Sequence, residues 1–213
     1  MNRLRACFKS LVVILSIAAC GAAAAGGTTA LNSAASGSIL RGHFVQHKHL
    51  AELEQPLVSS GHYVLARDRG LLWQVEKPVE STLVITPDAL TERSQGRLTA
   101  HISAAQRPAL GAVASVLLAV FQGDTAQLSQ YFNIERRGAE DATLTLTPKT
   151  DAVKNFISRL TLSGDLSGDL RNDNTGRRIR IEQPGGDFSV IDLSPSDAGP
   201  ETLTPQEQRA FSR

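Results

Sequence analysis

The chain has 213 residues, 41% of them hydrophobic and 20% charged, with a formal net charge of +1. That is enough apolar side chain for one domain with a sizeable core, and a composition unlike that of a disordered protein. Removing the basic leader described next takes the charge to about −2, which leaves no basic patch of the kind nucleic acid needs.

Arg3, Arg5 and Lys9 precede an apolar run from Leu11 to Ala19 and a small-residue stretch from Cys20 to Gly27. The pattern predicts a secretory signal over residues 1–25, too short and wrongly flanked for a membrane-spanning helix. Two cleavage readings stay open. Ala23, Ala24 and Ala25 before Gly26 suit ordinary signal peptidase and a soluble product. Ile17-Ala18-Ala19-Cys20-Gly21 is similar to a bacterial lipobox, in which Cys20 carries a lipid anchor. Either route takes the chain out of the cytoplasm. Cys7 and Cys20 are the only cysteines and both lie in the leader, so the body of the protein is expected to hold no disulfide.

Residues 26–38, rich in Gly, Ala, Ser and Thr, predict a flexible segment. Ile39 to His49 then alternates, with Phe44, Gln46 and Lys48 opposite His43, Val45, His47 and His49. Ala51 to Ser59 reads as a loop or a broken strand around Pro56. The stretch from Ser60 to Pro78 predicts a hairpin about an Asp68-Arg69-Gly70 turn: Tyr63, Leu65 and Arg67 share one face, and Leu71, Trp73 and Val75 share one face after the turn. Arg67 is the exception on an apolar face. Its guanidinium stays charged and must find acceptors or water. Ser81 to Thr86 is a further strand, with Leu83 and Ile85 on one face, and Leu90 to Ile102 supplies edge strands.

From Ser103 the pattern becomes helical. Leu110, Ala114, Leu117, Leu118 and Phe121 recur at helical spacing, and Val113, Val116 and Val120 extend the apolar surface well beyond one stripe. Such a helix has to be covered on several sides or touch an apolar ligand. A short helix over Ala126 to Tyr131 follows. Strands return at Phe132 to Arg136, Ala142 to Thr147, Phe156 to Leu162, Arg178 to Glu182 and Phe188 to Leu193, with Pro148 to Lys154 as a turn. The duplicated Ser163-Gly164-Asp165-Leu166 and Ser167-Gly168-Asp169-Leu170 has too few carboxylates for a calcium loop and reads as turn chemistry. Residues 196–213 form a loose C-terminal tail until Gln206 to Phe211. The expected fold class is mainly β (α+β): an antiparallel sheet curled around its own apolar face, with a helical insertion that plugs or covers it.

Catalytic signatures are missing. No Gly-x-Ser-x-Gly elbow, phosphate loop, dinucleotide fingerprint or zinc-binding His-Glu helix occurs. His43, His47 and His49 share a strand face, but they lie far apart along it and no Cys, Asp or Glu joins them, so they read as solvent-facing rather than as a metal site. The expectation is a protein with no catalytic residue, no metal and no cofactor.

Several elements in order carry a resemblance. They are Phe44-Val45-Gln46; Gly61 and the strand into Arg67, with Trp73 and Pro78; Tyr131-Phe132-Asn133-Ile134; Leu144-Thr145-Leu146-Thr147-Pro148-Lys149; and Leu193-Ser194-Pro195. At this spacing the chain resembles the LolA family of periplasmic carriers of outer-membrane lipoproteins, over residues 39–195. It departs from that family's pattern in having Asp68 after the arginine, where a proline is usual, and in lacking Trp or Tyr between Thr86 and Gln95, as a diverged paralogue would.

The resemblance implies an incompletely closed antiparallel β-barrel with an inserted helical lid. Its hydrophobic cavity for acyl chains would be lined by Phe44, Tyr63, Leu65, Leu71, Trp73, Val75, Leu83, Ile85, Leu144 and Leu146. Leu110, Val113, Leu117, Val120 and Phe121 would face it from the lid helix. Arg67 falls where the family has an arginine that ties the closed lid by hydrogen bonds. The implied partners are acylated lipoproteins or other lipids, an inner-membrane release complex and an outer-membrane acceptor, with the chain itself a monomer in the periplasm. Two alternatives remain: a lipid-anchored acceptor similar to LolB, which suits the Cys20 reading, and an enzyme acting on envelope lipids.

Overall fold

The computed structural model describes residues 39–106, 108–138, 143–164, 176–196, 200 and 202–212, with the backbone alone for 108–110. The expected signal segment, Cys20, the flexible segment 26–38 and most of the duplicated Ser-Gly-Asp-Leu repeat lie outside the described residues.

Eleven strands form one antiparallel sheet. They are β1 (Ile39–His49), β2 (Leu57–Ala66), β3 (Gly70–Lys77), β4 (Ser81–Ile85), β5 (Ala89–Ser94), β6 (Arg97–Ser103), β7 (Phe132–Arg137), β8 (Thr143–Pro148), β9 (Arg159–Gly164), β10 (Arg177–Glu182) and β11 (Phe188–Pro195). Their order across the sheet is β6-β5-β4-β3-β2-β1-β11-β10-β9-β8-β7, so the first strand sits in the middle between two meanders. β6 and β7 are the two edges and the sheet does not close on itself. Strands consecutive in the chain are neighbours within each meander, and the β1–β11 pairing joins the two.

Four helices complete the described chain: α1 (Pro108–Gln122), α2 (Thr125–Tyr131), α3 (Asp151–Lys154) and α4 (Pro205–Phe211). Asp124 caps α2 by accepting from the Gln127 amide. Helix α3 occupies the stretch that sequence alone assigns to a turn, and β9 accordingly starts at Arg159 rather than Phe156. The helical turn tucks Val153, with Ile157 just after it, into the core, where both are buried. Of the two readings of Ala51 to Ser59, the broken strand holds after Pro56: Leu57 to Ser59 pair with Lys48 to Gln46 and extend β2.

The β2–β3 hairpin differs from a half-buried one. Tyr63, Leu65, Leu71 and Trp73 are buried on one face, and Val64, Ala66 and Leu72 are buried on the other. The second face is covered by the end of the chain: Leu203, Ala210 and Phe211 pack with Ile39, Val64, Ala66, Leu72 and Val84. The C-terminal segment is therefore docked from Thr202 onward, not loose.

One ion pair holds it there. Arg41 Nε and Nη2 donate to the two carboxylate oxygens of Glu207 at 2.9 and 2.7 Å, and the same guanidinium donates to the carbonyls of Pro200 and Thr202 at 2.7 and 3.2 Å. Glu207 also closes a capping box with Thr204, so one carboxylate both starts α4 and fastens it to β1. Burial pushes the Glu207 pKa up, but the hydrogen bonds from Arg41 and Thr204 outweigh it and hold the carboxyl below its ordinary 4.5. A depressed folded-state pKa means stability that is present above the ordinary value and lost as the pH falls through the folded one. Glu207→Gln should therefore lower thermal stability at pH 7, by about 1–3 kcal/mol for a charge-assisted pair. Melting curves of the two proteins should converge in acid. A gap that persists unchanged in acid would show that the carboxylate is not the fastening.

Candidate functional site

Directly paired residues of an antiparallel ladder project to the same face. The row Gly42–Tyr63–Trp73–Leu83–Glu92 crosses five strands on one face, and the row Leu65–Leu71–Ile85–Leu90 runs beside it. On the other half, Phe44–Leu193–Arg177 and Gln46–Ile191–Ile179–Leu162–Leu144 continue that face, and Leu160 pairs Leu146. All ten residues expected to line the cavity, Phe44, Tyr63, Leu65, Leu71, Trp73, Val75, Leu83, Ile85, Leu144 and Leu146, thus share the inner face. Val75 and Leu83 are half-buried and the other eight buried.

The centre of this face is aromatic. Phe44 stacks on Trp73 with ring centroids 3.6 Å apart, and the Tyr63 ring lies 6.2 Å from that of Trp73. Gly42 makes this possible, because a Cβ there would fall 2.5 Å from the Tyr63 hydroxyl. Helix α1 lies over the cluster. Phe121 of α1 meets Trp73 edge-on at 5.4 Å and Tyr63 at 6.2 Å. Val113, Val116, Ala119 and Val120 are buried as well, and Leu117 is half-buried. Leu110 is placed by its backbone only, within α1. Helix α1 packs against α2, α3 and β5, which accounts for an apolar surface wider than one stripe.

Arg67 lies past the end of the strand. β2 ends at Ala66, and Arg67 lies exposed in the turn, where its carbonyl accepts from Gln122 Nε2 at 3.5 Å. The alternation that places it beside Leu65 stops one residue earlier because the hairpin turn begins there. The arginine of the inner face is Arg177, 1% exposed. Its Nη1 donates to the carbonyls of Val120 at 3.0 Å and Phe121 at 3.3 Å, in the last turn of α1. A helix end leaves such carbonyls without intrahelical partners and carries partial negative charge, so a buried cation is well placed there. The sequence holds the signal in Arg177-Arg178-Ile179-Arg180-Ile181: extending the apolar Ile181, Ile179 alternation by two puts Arg177 inside, with Arg178 and Arg180 opposite. Starting the strand at Arg178 hides it.

The inner face also buries charge away from α1. Lys48 is 4% exposed and pairs with Ser189; burial lowers its pKa and the charge of Asp187 raises it. Gln46 Nε2 donates to Ser189 Oγ at 3.4 Å. Glu92, 7% exposed, has its pKa raised by burial against a hydrogen bond from Thr99. His43, His47 and His49 project to the opposite face, where His49 stacks on Phe188 at 4.3 Å. No group of three or more His, Cys, Asp or Glu that could hold a metal occurs among the described residues. A cavity of about 520 Å³ lies on that outer side, between α4 and the sheet. It is lined by Gln74, Thr82, Thr91, Arg93 and Glu207 over Leu72 and Val84.

An open antiparallel sheet with an apolar, aromatic inner face shut by a helix is a carrier-type fold. The sequence profile described as outer membrane lipoprotein carrier protein LolA-like matches residues 18–177, and the chain belongs to that family. A LolA superfamily protein from Nitrosomonas europaea, known from its crystal structure, is similar at 13% identity and a TM-score of 0.42, over 83% of this chain and 90% of that one. No curated protein sequence matches this one. Among the described residues no helix is long and apolar enough to cross a membrane.

Glu92 gives this site a pH signature. A carboxyl whose folded-state pKa is raised is ionised at a cost in the folded protein, and that cost disappears once the pH is below the ordinary value of 4.5. Glu92→Gln should raise the melting temperature at neutral pH, with the gain fading as the pH drops below that value. A loss of stability at neutral pH would show that the carboxylate is compensated by its neighbours.

Proposed function

We propose that the protein is a periplasmic carrier that takes acyl chains of lipoproteins, or of a related lipid, against the inner face of its sheet and passes them toward the outer membrane. The observation that carries this reading is the joint covering of the inner-face aromatics by Phe121 and of Arg177 by the α1 carbonyls. The described state is shut, with α1 side chains where acyl chains would lie. Loading then requires α1 to move away from Phe44, Leu65, Trp73 and their neighbours, and the apolar area exposed is covered again by cargo. Arg177 takes the latch role that the family resemblance assigns to Arg67. Its bonds to Val120 and Phe121 stabilise the empty closed state, each by about 1.5–3 kcal/mol for a charged donor. Cargo has to break them, and their return favours release to an acceptor.

The family's carrier role, together with the lack of any nucleophile–base pairing in the motifs of the chain, supports a binding protein over an enzyme. A second reading, a LolB-like acceptor anchored through Cys20, turns on the mature N-terminus. Intact mass of protein from the native envelope distinguishes a diacylglyceryl group on Cys20 from cleavage near Gly26.

Protein purified from cells should carry acyl chains detectable by native mass spectrometry and lipid extraction; protein that never does, and that excludes apolar dyes, would sink the carrier reading. Arg177→Met tests the latch. It should lower the melting temperature of the empty protein yet tighten a fluorescent fatty-acid probe by about tenfold or more, since about 1.4 kcal/mol of closed-state stabilisation corresponds to one decade. Weaker or unchanged probe binding would make Arg177 a purely structural residue.

A further inference from the structure

The inner face contains two donors that the packing does not use. The Tyr63 hydroxyl and the Trp73 Nε1–H are both buried, on side chains 0% and 3% exposed, and neither finds a hydrogen-bond partner among the described residues. Leaving a buried donor unsatisfied is unfavourable, and native interiors do so rarely. Here two occur on directly paired residues of one row, Tyr63 in β2 and Trp73 in β3. Both rings lie under the same lid side chain, Phe121. Withdrawal of α1 therefore uncovers the two donors together.

Their chemistry limits what they can meet. Indole N–H donates only. The Tyr63 phenol also stays protonated, because burial pushes its pKa up to about 12 against the opposing charge of Arg177. Two neutral donors suit a neutral acceptor carried on a hydrocarbon chain. A carbonyl oxygen has two lone pairs and can take both.

We infer that Tyr63 and Trp73 form a polar subsite within the acyl-binding face, which recognises the carbonyl of an ester or amide that joins an acyl chain to its headgroup. This rests on the carrier reading and adds to it the part of the cargo that is read. Hydrocarbon alone fills the apolar face; the carbonyl sets how deep the chain sits, at the row of Gly42, Tyr63 and Trp73.

Trp73 is the only tryptophan in the chain, so its indole N–H gives one resolvable proton–nitrogen signal. The ¹⁵N-labelled mature protein is titrated with methyl palmitate, N-methylpalmitamide and hexadecane, and binding is measured for the native protein and for Tyr63→Phe. The indole proton should move downfield with an ester or amide and not with the alkane, and the larger shift tells which linkage is preferred. Tyr63→Phe should weaken the preferred carbonyl ligand about 2- to 10-fold, the worth of one neutral hydrogen bond, and leave hexadecane binding unchanged. It should also keep or raise the melting temperature of the empty protein, since an unsatisfied hydroxyl is removed. The subsite is overturned, with the carrier reading intact, if the three ligands bind with no downfield shift from either carbonyl. It is equally overturned if Tyr63→Phe weakens all three alike or lowers the melting temperature. If none of the three binds, the carrier reading falls and the subsite with it.

Discussion

Everything on the inner side of the sheet depends on the contact between the Arg177 guanidinium and the last-turn carbonyls of α1. A cation that is 1% exposed and cannot lose its proton needs permanent acceptors. Carbonyls at a helix end need donors. Each is the other's solution, and the solution exists only while α1 lies across the sheet. The contact thus couples a local hydrogen-bond requirement to the position of a 15-residue helix. The aromatic cluster of Phe44, Tyr63, Trp73 and Phe121 supplies adhesion beneath it, which has no direction of its own. The arginine adds the direction.

Much of this architecture is legible in the sequence because strand alternation is local. The inner-face rows follow from period two and from hairpin turns, so Phe44, Leu65, Trp73, Leu144 and the rest can be assigned to one face before any strand is paired. What local patterning cannot supply is where a strand stops. Arg67 and Arg177 each stand two residues from an apolar side chain of their own strand, Leu65 and Ile179. One lies past the last paired residue of β2 and the other is the first of β10. A difference of one residue at a strand end separates a solvent-exposed turn from the centre of the molecule.

The covering of the outer face is illegible for another reason. Val64, Ala66 and Leu72 advertise a second apolar surface, but their partners Leu203, Ala210 and Phe211 come from about 140 residues further on, in a stretch whose prolines read as loose chain. The Arg41–Glu207 pair fastens that short helix there, and a pairing at that separation leaves no pattern in either segment. The same dock leaves β2 and β3 buried on both sides. The α1-covered face and the α4-covered face share those strands.

An unclosed sheet has a further consequence at its rims. β6 and β7 each leave one row of backbone donors and acceptors unpaired in the ladder, which a sheet closed into a full cylinder would not have. Such rims invite strand-by-strand growth between copies, most of all where molecules are crowded. The deterrents are visible in the edge strands. β7 carries Glu135, Arg136 and Arg137, all exposed, and β6 starts with exposed Arg97 beside a register shift at Glu92 and Arg93. Leu98, 55% exposed, is the weak point of that fence. The guard on these rims is a handful of edge charges, quite separate from anything that fills or shuts the interior.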